Sequence, residues 1–359
     1  MKKASDRLSD AELSSMRDGH AHVAELSSPC ALPTEVLLII FHSGPSEVFE
    51  YRSYVISISQ VSHHWRNITL ATPSLWSFFR IIPSPPPSQL KMMETFIDRS
   101  CSHPLSIVID VDCFFRSDDI MDDLYPQLNL VVPLISRWRS LFIHGSSYED
   151  ISDVCGLFGE LCAPLLETFE VVNNLEEGRE NYVDDHLQVF TAGAPRLSYV
   201  RIQEVSLGLP PLTSLVSLRL HFPPKPLARN QFVRLLTASH QLRNLHISGD
   251  VLDIHFLSSS PAIAIPSLRS LVVVPTVDTD LSSLLIFLEC PALEHLTVGS
   301  ITTHDILPVL ENSFRTINGP SRYPFLQSLT LRHVKFGNWW EANWAVIMLP
   351  SITHIVIDS

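Results

Sequence analysis

The chain has 359 residues, 45% hydrophobic and 18% charged, with 26 prolines and 12 glycines, which excludes collagen-like and wholly disordered classes and leaves room for several domains or one long repeat array. Thirty-eight acidic residues outnumber 25 basic ones, for a net charge of −13, so the chain as a whole repels phosphate backbones and anionic lipid, and no nucleic-acid partner is expected. The longest apolar runs, such as Val36 to Phe41 and Leu284 to Leu288, fall far short of the roughly 18 residues of a spanning helix, so no membrane partner is expected either.

Residues 1–28 are polar and without sustained periodicity, and read as a loosely ordered tail. From Leu32 the pattern turns helical. Pro33-Thr34 opens a first helix with Thr34 as its N-cap, and Val36, Leu37, Ile40 and Phe41 are expected to share its apolar face. A second helix is read from Glu47 to Gln60 and a third from Val61 to Leu70, stopped ahead of Pro73. The stretch Ile81-Ile82-Pro83-Ser84-Pro85-Pro86-Pro87 then reads as a semi-rigid extended linker. The first domain is accordingly drawn over 29–82, and a linker and helix over 83–100.

Residues 101–359 alternate strand and helix patterns, and they repeat. Nine units are led by Trp138, Leu166, Leu197, Leu215, Leu242, Leu268, Leu293, Leu326 and Ile352, each with apolar residues three and five positions later. The leading positions average about 27 residues apart, inside the range of leucine-rich repeats. In six units Pro stands two residues before the leading position, as Pro164, Pro195, Pro266, Pro291, Pro324 and Pro350. There it ends the preceding segment and fixes φ at the turn into a strand without removing a ladder hydrogen bond. Gln231 to Ser239, Leu281 to Glu289, His304 to Phe314 and Trp339 to Met348 read as intervening helices, and Leu105 to Ile109 as an earlier strand capping the array. The expected fold class is α/β: a three-helix domain followed by a leucine-rich-repeat solenoid, parallel strands on its concave face and helices on its convex face.

The first domain carries Leu32-Pro33-Thr34-Glu35 with an apolar helix ending in Ile40-Phe41, then Val61-Ser62-His63-His64-Trp65-Arg66, then Pro73-Ser74-Leu75-Trp76. This ordered set resembles the F-box, whose pattern runs LPxE, an apolar helix ending in IF, V-x-x-x-W-R and P-x-LW. The chain departs from that pattern at Ser62, where the family often has Cys, and in a longer segment from Ser43 to Ser59. The resemblance implies docking to a Skp1-like adaptor, and through it to a cullin, in a ubiquitin ligase of the Skp1-cullin-F-box type. It implies adaptor-contact roles for Leu32, Pro33, Val36, Leu37, Ile40, Phe41, Val61 and Trp65. Those are also too many apolar side chains for so small a helical unit to hide, which by itself calls for a partner. An F-box joined to such repeats looks like the known substrate receptors of this class, including those of fungi, with the repeats holding an unidentified protein substrate. The alternatives are a leucine-rich-repeat binding scaffold with no ubiquitin role and, remotely, a dehalogenase-type phosphatase.

The phosphatase alternative rests on Ile107-Val108-Ile109-Asp110-Val111-Asp112, an apolar strand ending in DxD, but Cys113-Phe114 replaces the expected Thr or Val and no Gly-rich continuation follows. Neither a reactive-Cys environment nor zinc-ligand spacing is read among Cys30, Cys101, Cys113, Cys155, Cys162 and Cys290. A non-catalytic chain with reduced, mostly buried thiols, no metal and no cofactor, in the cytoplasm or nucleus, is expected. His63-His64 reads as a surface pair and Trp340 with Trp344, beside Trp339, as core packing on one helix. In successive repeat strands, Glu170, Arg201, Arg219, His246, Val272, Thr297, Thr330 and Val356 stand between the two apolar positions, which alternation puts on the solvent side. Arg201 and Arg219, with His221, His246 and Arg332, are expected to place positive charge there and to hold an acidic or phosphorylated substrate segment.

Overall fold

The structure is a computed structural model that describes residues 32–44, 51–112, 120–174, 187–223, 227, 229–249, 251, 262–274, 281–299, 323–332 and 351–358. The polar tail, the helix readings at 304–314 and 339–348, Trp339, Trp340, Trp344, Cys30 and Cys113 lie outside these residues. Contacts divide the chain into two compact units, Met1–Phe78 with Glu94–His103, and Phe79–Met93 with Pro104–Ser359.

In the first unit, helices α1 (Thr34–His42), α2 (Tyr51–Val61) and α3 (His63–Leu70) lead into a 3-10 turn, Pro73–Trp76. Thr34 is not the cap of α1. Pro33 takes that position, and its carbonyl accepts from the N–H groups of Val36 and Leu37 at 3.1 Å each. Helix α3 starts at His63 rather than Val61 because the Ser62 hydroxyl accepts from the Trp65 N–H at 3.2 Å and so ends α2 and caps α3. The single apolar face expected of α1 is also corrected. Leu37 and Phe41, four apart, are fully buried, while Val36, Ile39 and Ile40, three and four apart, stand on the exposed side. A helix with apolar residues all round carries two stripes, and only one can face α3, where the Phe41 and Trp65 rings meet edge-on at 5.0 Å. Trp76 closes the unit from below: its indole N–H donates to the Thr69 carbonyl at 2.8 Å, Phe96 packs edge-on at 4.8 Å and the Arg99 guanidinium covers it at 4.4 Å. Phe96 and Arg99 belong to helix α4, which spans Pro87–Ser100, so the proline run ends in a helix.

The second unit is mixed α/β, built on an 11-stranded sheet. Its strands are β1 (Phe78–Ile81), β2 (Leu105–Asp110), β3 (Trp138–Gly145), β4 (Thr168–Asn173), β6 (Tyr199–Gln203), β8 (Ser217–His221), β9 (Asn244–Ser248), β11 (Ser270–Val274), β13 (His295–Gly299), β14 (Ser328–Arg332) and β15 (His354–Asp358). They lie side by side in chain order, and each successive pair from β2 to β15 is parallel. Two small parallel sheets flank the large one: β5 (Leu187–Gln188) with β7 (Leu207–Gly208), and β10 (Ile263–Ala264) with β12 (Leu288–Glu289). Strand β1 has no counterpart in the sequence reading, since four residues next to a proline run leave too short a pattern, although Phe79 and Ile81 alternate inward.

The repeat alignment has a direct structural meaning. Trp138, the first residue of β3, and Leu166, Leu197, Leu215, Leu242, Leu268, Leu293 and Leu326, each two residues before its strand, are all fully buried. Register then stacks the next apolar pair of each strand, as in Leu218 beside Leu245 and Leu220 beside Ile247. The N–H groups of Leu166, Leu197, Leu268, Leu293 and Leu326 each donate to the carbonyl three residues back at 3.1–3.2 Å, so each of the five prolines before them occupies the second position of a β-turn, where its fixed φ is favourable. On the buried side of the sheet lie α5 (Ile120–Val131), α6 (Tyr148–Gly156), α7 (Arg229–Ala238) and α8 (Leu281–Phe287), which contribute Leu124, Ile151, Phe232 and Leu285 to the core. An aromatic chain joins this layer to the strands: Trp138 to Phe158 at 5.5 Å, Phe158 to Phe190 at 6.2 Å, and Phe190 to Phe169 at 5.3 Å.

Candidate functional site

Two surfaces gather the residues that the sequence singles out. The first lies on the helices of the first unit. Val36 is 39%, Ile39 67%, Ile40 42%, Val61 54% and Leu70 41% exposed, an unusual density of bare aliphatic side chains for three short helices. Of the expected adaptor contacts, Pro33, Val36, Ile40 and Val61 are on the surface, Leu32 and Trp65 are half-buried, and Leu37 and Phe41 are buried entirely. The last two are therefore corrected from contact residues to supports: Phe41 against Trp65 fixes α1 on α3 so that the opposite stripe faces outward. Ile39 and Leu70 were missed, and helical spacing from Val36 to Ile39 was the signal for the former. The Tyr54 hydroxyl donates to the Ile40 carbonyl at 3.1 Å and a ring nitrogen of His42 meets the Ser74 hydroxyl at 2.8 Å, so both ends of this stripe are anchored.

The second surface is the open face of the sheet in the second unit. The residues between the apolar pairs form one register row: Phe142, Glu170, Arg201, Arg219, His246, Val272, Thr297, Thr330 and Val356 are successive neighbours. Arg201 and Arg219 thus sit on adjacent strands, about 4.8 Å apart at the backbone. Arg201 is partly committed, with one terminal nitrogen 3.7 Å from the Glu170 carboxylate and the other donating to the Gln203 side-chain Oε1 at 2.8 Å. Its Nε is buried with no partner among the described residues. The Arg219 guanidinium lies 5.7 Å over the Tyr199 ring and is otherwise exposed.

His221 and His246 meet edge-on with ring centroids 4.4 Å apart, and a ring nitrogen of His246 is 3.1 Å from the Ser248 hydroxyl. Burial, then the neighbouring positive charges, pushes both imidazoles down from 6.5 to about 4. At neutral pH they are uncharged, which corrects the expectation that they add positive charge to this face. Two arginines repel any third cation in a half-buried setting, so the imidazoles here supply neutral hydrogen-bonding groups. Arg332 stands three strands from His246, about 14 Å along the sheet at the backbone, yet its charge is among those that lower the His246 pKa, after Arg219 and ahead of Arg201. His144, stacked on Phe142 at 6.5 Å, has its pKa lowered by burial despite the Glu170 and Asp110 carboxylates nearby. Sequence reading missed Tyr199, Gln203 and His144 at this site, because their roles depend on which strands adjoin.

The DxD stretch is structural in its contacts. The Asp110 carboxylate accepts from Arg80 at 2.6 Å and from the Asp112 N–H at 3.1 Å, which ties β2 to β1. Among the described residues no group of three or more His, Cys, Asp and Glu stands in position to hold a metal ion, and no helix is long and apolar enough to cross a membrane. Among the described cysteines, Cys155 and Cys290 are buried, with burial pushing the Cys155 thiol far up, while Cys101 and Cys162 are exposed. No protein-family model matches the chain, and no curated protein does.

Proposed function

We propose that this chain is the substrate-recognition subunit of a Skp1-cullin-F-box ubiquitin ligase, acting in the cytoplasm or nucleus. The helices between Leu32 and Trp76 dock a Skp1-like adaptor, and the parallel-strand units form a leucine-rich-repeat solenoid that holds the substrate. The observation that carries this reading is the outward stripe of Val36, Ile39 and Ile40, with Val61, on helices bearing the ordered F-box-like motifs. Such a stripe buries on the order of 25 cal/mol per Å² when covered by a partner, and exposing it otherwise invites aggregation. The face bearing Arg201 and Arg219 supports a substrate segment that is acidic or phosphorylated.

Co-expression with a Skp1-like adaptor tests the reading. The wild-type chain is expected to co-purify with the adaptor, and Ile39→Asp with Val61→Asp to lose it by at least ten-fold while keeping its far-ultraviolet circular dichroism. Both residues are exposed, so the fold does not depend on them. A wild-type chain that is monodisperse and never joins the adaptor would instead favour a repeat scaffold with no ubiquitin role.

A further inference from the structure

The repeat units are unequal in length, and one of them leaves a gap. Leading positions are 25 to 33 residues apart elsewhere, for example 25 from Leu268 to Leu293 and 33 from Leu293 to Leu326, but only 18 from Leu197 to Leu215. The connection from β6 to β8 accordingly contains the two-residue strand β7 and the Leu209-Pro210-Pro211 turn, with no helix, whereas the next connection carries α7. Where a helix is missing beside one that is present, the buried face of the sheet is covered on one side only. A cavity of about 410 Å³ opens at that place, entirely within the second unit. Its floor is Ile202, Leu207 and Leu220, and its wall is Phe232 and Leu235 of α7.

The lining is mixed: Gln188, Thr191 and Arg234 border the cavity beside these apolar side chains. Gln231, at the start of α7, lines the cavity, and its side-chain Oε1 is buried with no hydrogen-bond partner among the described residues. A buried amide oxygen without a donor bears its desolvation uncompensated, so a ligand that brings a donor gains more than its apolar area alone would give. The volume falls in the range of small-molecule pockets, about 300 to 1,000 Å³.

We propose that the cavity beside α7 binds a small amphipathic molecule that lays an apolar body against Ile202, Leu220 and Phe232 and whose hydroxyl or amide N–H donates to Gln231 Oε1. This site is separate from the adaptor stripe and from the arginine row, and it does not depend on the ubiquitin reading. Equilibrium dialysis of the full chain against 2-naphthol and against 2-methoxynaphthalene, which lacks the donor, tests it. The wild-type chain is expected to bind 2-naphthol about ten-fold more tightly than the ether. Gln231→Leu should erase that preference while leaving the ether bound within about three-fold of wild type, and Leu235→Trp, which narrows the cavity from its α7 wall, should weaken both. Equal affinity of the two compounds for wild type, no binding of 2-naphthol at millimolar concentration, or full binding by a folded Leu235→Trp variant would each overturn the proposal. Should Leu235→Trp fail to fold, the Gln231→Leu comparison decides alone, since that residue is only partly buried.

Discussion

His221 and His246 illustrate how burial, reinforced by neighbouring charge, decides a side chain's protonation. Each is half-buried beside Arg201 and Arg219 and titrates near pH 4 instead of 6.5. The unfolded chain therefore binds more protons than the folded one between about pH 6.5 and 4. Stability is fully present above that window and is lost as pH falls through it, by on the order of 2 kcal/mol per imidazole. Urea-unfolding midpoints measured from pH 7 to 4 should fall less steeply in His221→Gln with His246→Gln than in the wild-type chain, and parallel curves would show that the pair is not the source. Leu37 and Phe41 make a related point. Both have the composition of contact residues, yet their contribution is to hold the stripe that does the contacting.

Among the elements, the strands were the most legible part of the chain and the helices the least. Within each unit a buried leading residue is followed at fixed offsets by a buried pair two apart, so even the register row containing Arg201 and Arg219 could be written out beforehand. Period-two alternation leaves one choice of face once the apolar set is known. Nine-residue α1 offered no such rule: apolar all round, it could not announce which stripe lies inward until its packing on α3 was seen. The two-residue strands β5 and β7, and the gap beside α7, follow from unit length rather than from any motif, and a spacing of 18 among values of 25 to 33 was the trace they left. Alternation can be measured directly. Leu245→Ala, at a buried position of β9, should cost about 2–5 kcal/mol in urea unfolding, while Thr297→Ala, in the open row of β13, should stay within about 0.5 kcal/mol. Equal costs at the two positions would contradict the assigned faces.

At the scale of the whole molecule, charge works against the substrate proposed for the open face. A net charge of −13 repels an acidic segment at long range, so capture has to come from the short-range pairing that Arg201 and Arg219 can offer. Binding of an oligoglutamate peptide should accordingly fall by ten-fold or more in Arg201→Glu with Arg219→Glu. Unchanged binding in that folded variant would remove the acidic-segment reading while leaving the adaptor reading intact. The order of strands in the large sheet carries a consequence for how the chain is made. Because the eleven strands of the large sheet lie side by side in the order in which they are encoded, each finds its neighbour already present when it leaves the ribosome. Every ladder then closes over a short span of chain, and loop-closure entropy stays small throughout. Synthesis can thus lengthen one continuous folded edge, each new strand of the sheet pairing with one encoded a few dozen codons earlier.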